Sequence, residues 1–115
     1  MELEFFFHKT CVYIKFSKFF FNFSEGPKNE QYAFQLVPDG VTETEADLGQ
    51  LGGPRKATAR FEDNSLITDL ENPETNQVDV IAIRTINPAE PNVMIYTLKD
   101  VESESELVQY MNRVL

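Results

Sequence analysis

Four sets of residues in this chain of 115 carry groups able to do chemistry. The first is His8 with Cys11, the single histidine and the single cysteine. They supply a nucleophile and a base, but no third group nearby would orient the imidazole, so packing or exposure explains them better than catalysis. One cysteine closes no intramolecular disulfide, and one histidine beside it is too little for a structural metal site. The second set is acidic: Glu43 with Glu45, and Glu102, Glu104 and Glu106. Paired carboxylates do acid–base work only where their surroundings separate their pKa values, and these read as solvated faces. The third, Gly52-Gly53-Pro54, lacks the strand-glycine-helix context of a phosphate loop. The fourth is a single residue, Arg84. It closes the most apolar run, Val80-Ile81-Ala82-Ile83-Arg84-Thr85-Ile86, in phase with Val78, Val80 and Ala82. Facing inward, a guanidinium that keeps its proton needs an anionic partner in an apolar enclosure, and a ligand carboxylate would supply one. Facing outward, it pairs with one of many surface acids, and periodicity alone favours that reading. With no nucleophile, metal or phosphate site, neither an enzyme nor a cofactor is expected.

Whatever positions Arg84 must fit in one small domain, because a chain this short buries a single core. Ten Lys and Arg against 19 Asp and Glu give a net charge of -9, and Arg55-Lys56 is the longest basic cluster. Such a surface repels phosphate backbones and anionic headgroups, so nucleic acid is an unexpected partner. The charge is uneven: residues 1–23 hold three Lys, two Glu and eight of the ten Phe, whereas residues 24–115 hold seven Lys or Arg against 17 acids. Glu2 and Glu4 stand where a signal peptide is basic, and Lys9, Lys15 and Lys18 interrupt every apolar run short of spanning length. Stable membrane insertion is therefore not expected, the sequon Asn22-Phe23-Ser24 has no secretory context, and a reducing, cytoplasmic setting fits best.

The elements read as β. Strand-like runs occupy Cys11–Phe16, Phe19–Phe23, Tyr32–Val37, Arg55–Phe61, Ser65–Leu70, Val78–Ile86 and Asn92–Leu98. Turn signals separate them, among them Pro38-Asp39-Gly40 and Glu62-Asp63-Asn64. Val80-Ile81-Ala82-Ile83 is apolar on both faces, so at least one strand is expected to be covered on both sides. At the C-terminus, Ser103 with Glu106 offers a capping box, and Leu107, Val108, Met111, Val114 and Leu115 fall at helical spacing. A helix over residues 103–115 is the better local reading. The strand alternative puts Val108, Tyr110 and Asn112 on one face and Leu107, Gln109 and Met111 on the other.

From Lys28 onward the chain resembles the intracellular lipid-binding proteins, the family of fatty-acid- and retinoid-binding proteins. The resemblance rests on the shared order of short runs. These are Lys28-Asn29, Phe34-Gln35-Leu36, Glu43-Thr44-Glu45-Ala46-Asp47, and Arg55-Lys56 leading to Phe61-Glu62-Asp63-Asn64-Ser65-Leu66-Ile67. Ile83-Arg84-Thr85-Ile86, Met94-Ile95-Tyr96-Thr97-Leu98, Asp100-Val101, Tyr110 and Arg113-Val114 come after them. It implies an all-β, calycin-like fold: an antiparallel, up-and-down, flattened barrel of ten strands with a helical lid. It also implies transport of a fatty acid or similar hydrophobic ligand, without covalent chemistry, in the barrel interior. By motif position Arg84 would be the interior arginine on the ligand carboxylate, with Tyr110 beside it; Ala46, Asp47, Arg55 and Phe34 would line the cavity. Two places before Tyr110, where the family presents a second arginine, stands Val108.

Residues 24–115 are thus expected to be a lipid-binding β-barrel domain. Residues 1–23 form an atypical Phe-rich segment too short for the family's first strand, lid and second strand, so the barrel is expected to be incomplete and to lack its lid. That segment's composition is what a translated T-rich intron end would give; the alternation of Val12, Ile14 and Phe16 permits two real strands instead. A competing reading counts seven strands and a C-terminal helix as a pleckstrin-homology-like or phosphotyrosine-binding-like barrel, an interaction module that binds a peptide at a sheet edge. Residues 103–115 discriminate between the two: a helix across the barrel mouth favours the module, and a strand paired into the sheet favours the carrier.

Overall fold

Alternation of apolar and polar residues dominates the folded chain, which a computed structural model describes at residues 2–7, 10–15, 18–25, 27–49, 51–86, 89–90 and 92–112. Ten strands succeed one another: β1 (Glu2–Phe7), β2 (Thr10–Lys15), β3 (Lys18–Glu25), β4 (Glu30–Leu36), β5 (Asp39–Ala46), β6 (Arg55–Glu62), β7 (Ser65–Glu71), β8 (Val78–Ile86), β9 (Val93–Asp100) and β10 (Glu106–Asn112). No helix occurs among the described residues, and every pairing is antiparallel between chain neighbours. The result is an all-β, up-and-down, flattened barrel-like fold that is not closed: one sheet runs β1-β2-β3-β4 and the other β10-β9-β8-β7-β6-β5. The chain crosses from the first sheet to the second through Val37-Pro38. β3 runs through the Phe23–Ser24 boundary and pairs with β4 from Phe19 to Glu25, so the Phe-rich segment and β4 belong to one sheet.

The two sheets meet across a core whose pattern comes directly from strand period. In β7, Leu66, Thr68 and Leu70 are buried while Ile67 and Asp69 face out. The first sheet contributes Val12, Phe19, Phe21, Phe34 and Leu36 to the core, and the second contributes Ala57, Ala59, Leu66, Leu70, Ala82, Met94, Tyr96 and Leu98. Phe19 of β3 meets Phe61 of β6 across the gap, their ring centroids 5.1 Å apart. The β6–β7 hairpin turns through Asp63 and Asn64, both at positive φ, the two-residue turn whose twist suits flanking strands and which Asp and Asn tolerate.

Three sequence expectations need correction. The C-terminal helix is absent over residues 106–112, and with it the helix that the pleckstrin-homology-like alternative requires: Glu106–Asn112 pairs with β9 from Lys99 to Val93. The expected capping box is consumed by a tight turn. Asp100 Oδ1 accepts the N–H groups of Glu102 and Ser103, Ser103 Oγ accepts that of Ser105, and Glu104 sits at φ +60°, which breaks a helical run. Tertiary pairing overrides local preference here. Residues 113–115 lie outside the described residues. Second, the turn expected at Pro38-Asp39-Gly40 is present, with Asp39 Oδ1 accepting the N–H groups of Val41 and Thr42, but it leads straight into a strand the sequence reading does not contain. This is β5, an irregular edge strand whose register shifts between Asp39 and Glu43; Gly40 takes φ +76°, a conformation that favours glycine. Third, β8 is not covered on both sides among the described residues. Ile81 lies between Asp69 and Lys99, and Ile83 between Ile67 and Thr97, on an outer face where cross-strand neighbours leave both half-buried.

Candidate ligand-binding cavity

Arg84 points into the space between the sheets. The register places it directly between Leu66 of β7 and Tyr96 of β9, and Leu66 in turn faces Phe61 of β6. Directly opposed residues share a face, so the buried Leu66 and Tyr96 fix the inward direction, against the outward reading that periodicity favours. Three rings surround the guanidinium: its carbon lies 4.5 Å from the centroid of Phe21, 4.8 Å from Tyr96 and 5.5 Å from Phe34. Phe21 and Phe34 are themselves stacked at 4.9 Å. Each ring face attracts the cation, but none accepts a hydrogen bond in its plane.

That leaves Nη1 sealed from solvent with no acceptor among the described residues, although Arg84 as a residue keeps some exposed surface. Burial pulls the Arg84 pKa below its ordinary value, with Tyr96 acting weakly the other way. Arginine nevertheless stays charged in proteins, so the site carries a fixed cation. It borders a cavity of about 350 Å³ lined by Val12, Ile14, Phe19, Phe21, Phe61, Leu66, Ile86 and Met94, with Asn64 as its other polar residue. Phe61 and Asn64 are exposed, which sets the mouth at the β6–β7 hairpin. The cavity is apolar with one buried cation inside it, an arrangement suited to the anionic end of a mostly apolar molecule.

The other residues singled out by motif distribute differently. Phe34 is buried beside Arg84. Ala46 is buried opposite Arg55 in the β5–β6 register, and Asp47 comes next, its Oδ1 accepting the Gly49 N–H at 2.9 Å. Arg55 donates to Asp79 Oδ1 at 2.5 Å, while Asp79 Oδ2 takes Asn72 Nδ2 at 2.9 Å. This cluster sits at the far end of the second sheet: the row of Arg84 meets β6 at Phe61, six residues from Arg55, or about 20 Å along the strand. Tyr110 is 71% exposed and opposite Ile95 on the outer face. The structure therefore brings Arg84 and Phe34 together and holds Ala46, Asp47, Arg55 and Tyr110 apart from them.

Sequence reasoning misses Phe21, Tyr96 and Asn64 as site residues. Tyr96 is traceable from its phase with Met94 and Leu98 in β9; Phe21 is not, because its role depends on how two sheets that share no hydrogen-bonded pairing face each other. Gln109 continues the same cross-strand row beside Tyr96 on the inner face, half-buried, whereas the family expectation looks for an arginine at Val108. Among the described residues no group of three or more His, Cys, Asp or Glu is placed to hold a metal, and no helix is long and apolar enough to cross a membrane. Neither a family model nor a curated protein matches the chain.

Proposed function

We propose that this protein is a non-enzymatic carrier that binds a fatty acid or a similar hydrophobic monocarboxylate between its two sheets, with the carboxylate on Arg84. The observation that carries the reading is the buried Nη1 of Arg84, which has no hydrogen-bond acceptor among the described residues, in an apolar cavity. A carboxylate supplies the in-plane acceptor that the three rings do not, through a charge-assisted hydrogen bond. The volume of about 350 Å³ falls at the lower end of the roughly 300–1,000 Å³ of small-molecule pockets, which favours a short or folded alkyl chain. Burial at about 0.8 kcal/mol per methylene makes ten methylenes worth about 8 kcal/mol before ordering costs, the scale of micromolar binding. Pairing of residues 106–112 into the sheet also favours a carrier over the peptide-binding module.

Titration of a fluorescent fatty acid and of the matching alcohol tests the proposal. Wild type should bind the acid about ten- to a hundredfold more tightly than the alcohol, the worth of one hydrogen bond to a charged group. Arg84→Met should lose that preference while still binding the alcohol. No saturable binding of either by protein with a β-type circular dichroism spectrum overturns the proposal.

A further inference from the structure

The two edges of the six-stranded sheet are built differently. β5 carries Asp39, Glu43 and Glu45, all exposed, and a register shift, features that keep an edge from pairing with another chain. β10 has none of these between Leu107 and Met111: the run Leu-Val-Gln-Tyr-Met holds no charge, proline or glycine. Its outer edge pairs with no strand among the described residues, and Leu107, Val108 and Tyr110 stay 50%, 43% and 71% exposed.

Hydrogen-bond polarity determines which registers that edge accepts. Asp100 N–H donates to Ser105 O, so residues 100 and 105 form a hydrogen-bonded pair, and by alternation Leu107, Gln109 and Met111 direct their backbone groups to β9. The N–H and C=O groups of Glu106, Val108, Tyr110 and Asn112 therefore point outward. Paired antiparallel with its own copy about Gln109, β10 sets Val108 against the partner's Tyr110 and Glu106 against the partner's Asn112, each a mutually hydrogen-bonded pair. Leu107 then faces the partner's Met111, and Gln109 faces the partner's Gln109. The pairings are a β-branched residue on an aromatic ring, an apolar pair, one amide–amide contact and a carboxylate facing an amide, and no two acids oppose each other despite the net charge of -9. We infer that β10 is a self-complementary edge through which two copies of this chain associate, joining their sheets across a two-fold axis at Gln109.

Sedimentation of the full chain over a range of concentrations, together with directed cross-linking, tests this. Wild type should pass from monomer to dimer as concentration rises. Tyr110→Pro removes an outward N–H without touching the β9 ladder and should shift the midpoint to at least tenfold higher concentration; Val108→Glu, which keeps the backbone intact, should do the same. In a Cys11→Ala background, Gln109→Cys should form a disulfide-linked dimer on mild oxidation, because facing residues in a non-hydrogen-bonded pair lie about 4.5 Å apart at Cα, within disulfide reach. Leu107→Cys should not, since its own copy lies four residues along, about 13 Å away. A chain monomeric at every concentration, a dimer indifferent to both edge variants, or equal cross-linking at 107 and 109 overturns the inference. So does a monomer that takes up an unrelated peptide at this edge.

Discussion

At the scale of single residues, two inner-face arginines separate structure from candidate function. Arg55 is paired with Asp79, which also takes a hydrogen bond from Asn72, so its charge is balanced where it lies. Arg84 has three ring faces and an Nη1 without an acceptor among the described residues. Ring contacts worth about 0.5–2 kcal/mol each offset only part of the several kcal/mol that desolvating a cation costs. Such an uncompensated buried charge lowers stability whatever it does for binding, so its effects on stability and on binding can be measured separately. Methionine substitution at the two positions should therefore have opposite effects. Arg84→Met removes the orphaned charge at similar volume and should raise stability by about 1–3 kcal/mol. Arg55→Met strands the Asp79 carboxylate and should lower it by about 1–2 kcal/mol, less than for a fully buried pair because Asp79 is partly exposed. Urea midpoints at unchanged slope measure both; a loss at Arg84 as large as that at Arg55 makes Arg84 a structural residue.

At the scale of elements, strands are legible in the sequence where they are half-buried and obscure where they are edges. β7 and β9 alternate because one face is core, and β8 is legible from its β-branched run. β5 and β10 keep most side chains exposed, so neither shows a buried period; Glu43 and Glu45 read as surface, and the acids before Leu107 read as a helix start. The same limit applies to the site. Arg84 stands out from its phase, whereas the rings around it come from strands of both sheets and become visible only once register is known. The turn that starts β5 is acid-sensitive. The Asp39 pKa is lowered from 3.8 to about 2, first by the Thr42 hydroxyl, then by the N–H groups of Thr42 and Val41, although the carboxylate is fully exposed. A pKa depressed in the folded state means stability that is complete above about pH 4 and lost as pH falls towards 2, where the folded carboxyl also protonates. Asp39→Ala should thus destabilise the protein at neutral pH, and its gap to wild type in urea midpoint should narrow from pH 4 to pH 2. A gap constant over that window would mean the charge of Asp39 contributes nothing to the turn.

At the scale of the whole molecule, the sheets are joined covalently at one side, through Val37-Pro38 between β4 and β5, while β1 and β10 form no pairing with each other at the opposite side. Hydrogen bonds therefore hold each sheet together but not one sheet to the other across that opening; rings such as Phe19 and Phe61, and Arg84 against Phe21, bridge the gap. A molecule in the cavity touches Val12, Ile14, Phe19 and Phe21 from the first sheet and Leu66, Arg84, Ile86 and Met94 from the second, so it adds a bridge that the backbone does not provide. Linkage sets the size of the effect. A ligand present at a hundred times its Kd stabilises the folded state by about 2.7 kcal/mol. For a domain of this length that is a rise in Tm of about 10 °C. The distribution of the effect is the sharper test, because a bridging ligand must suppress opening of both sheets. Amide hydrogen exchange with a fatty acid bound should slow in β2 and β3 as well as in β7, β8 and β9. Slowing confined to the six-stranded sheet would place the ligand on one wall rather than between the two, and the carrier reading would fail with it.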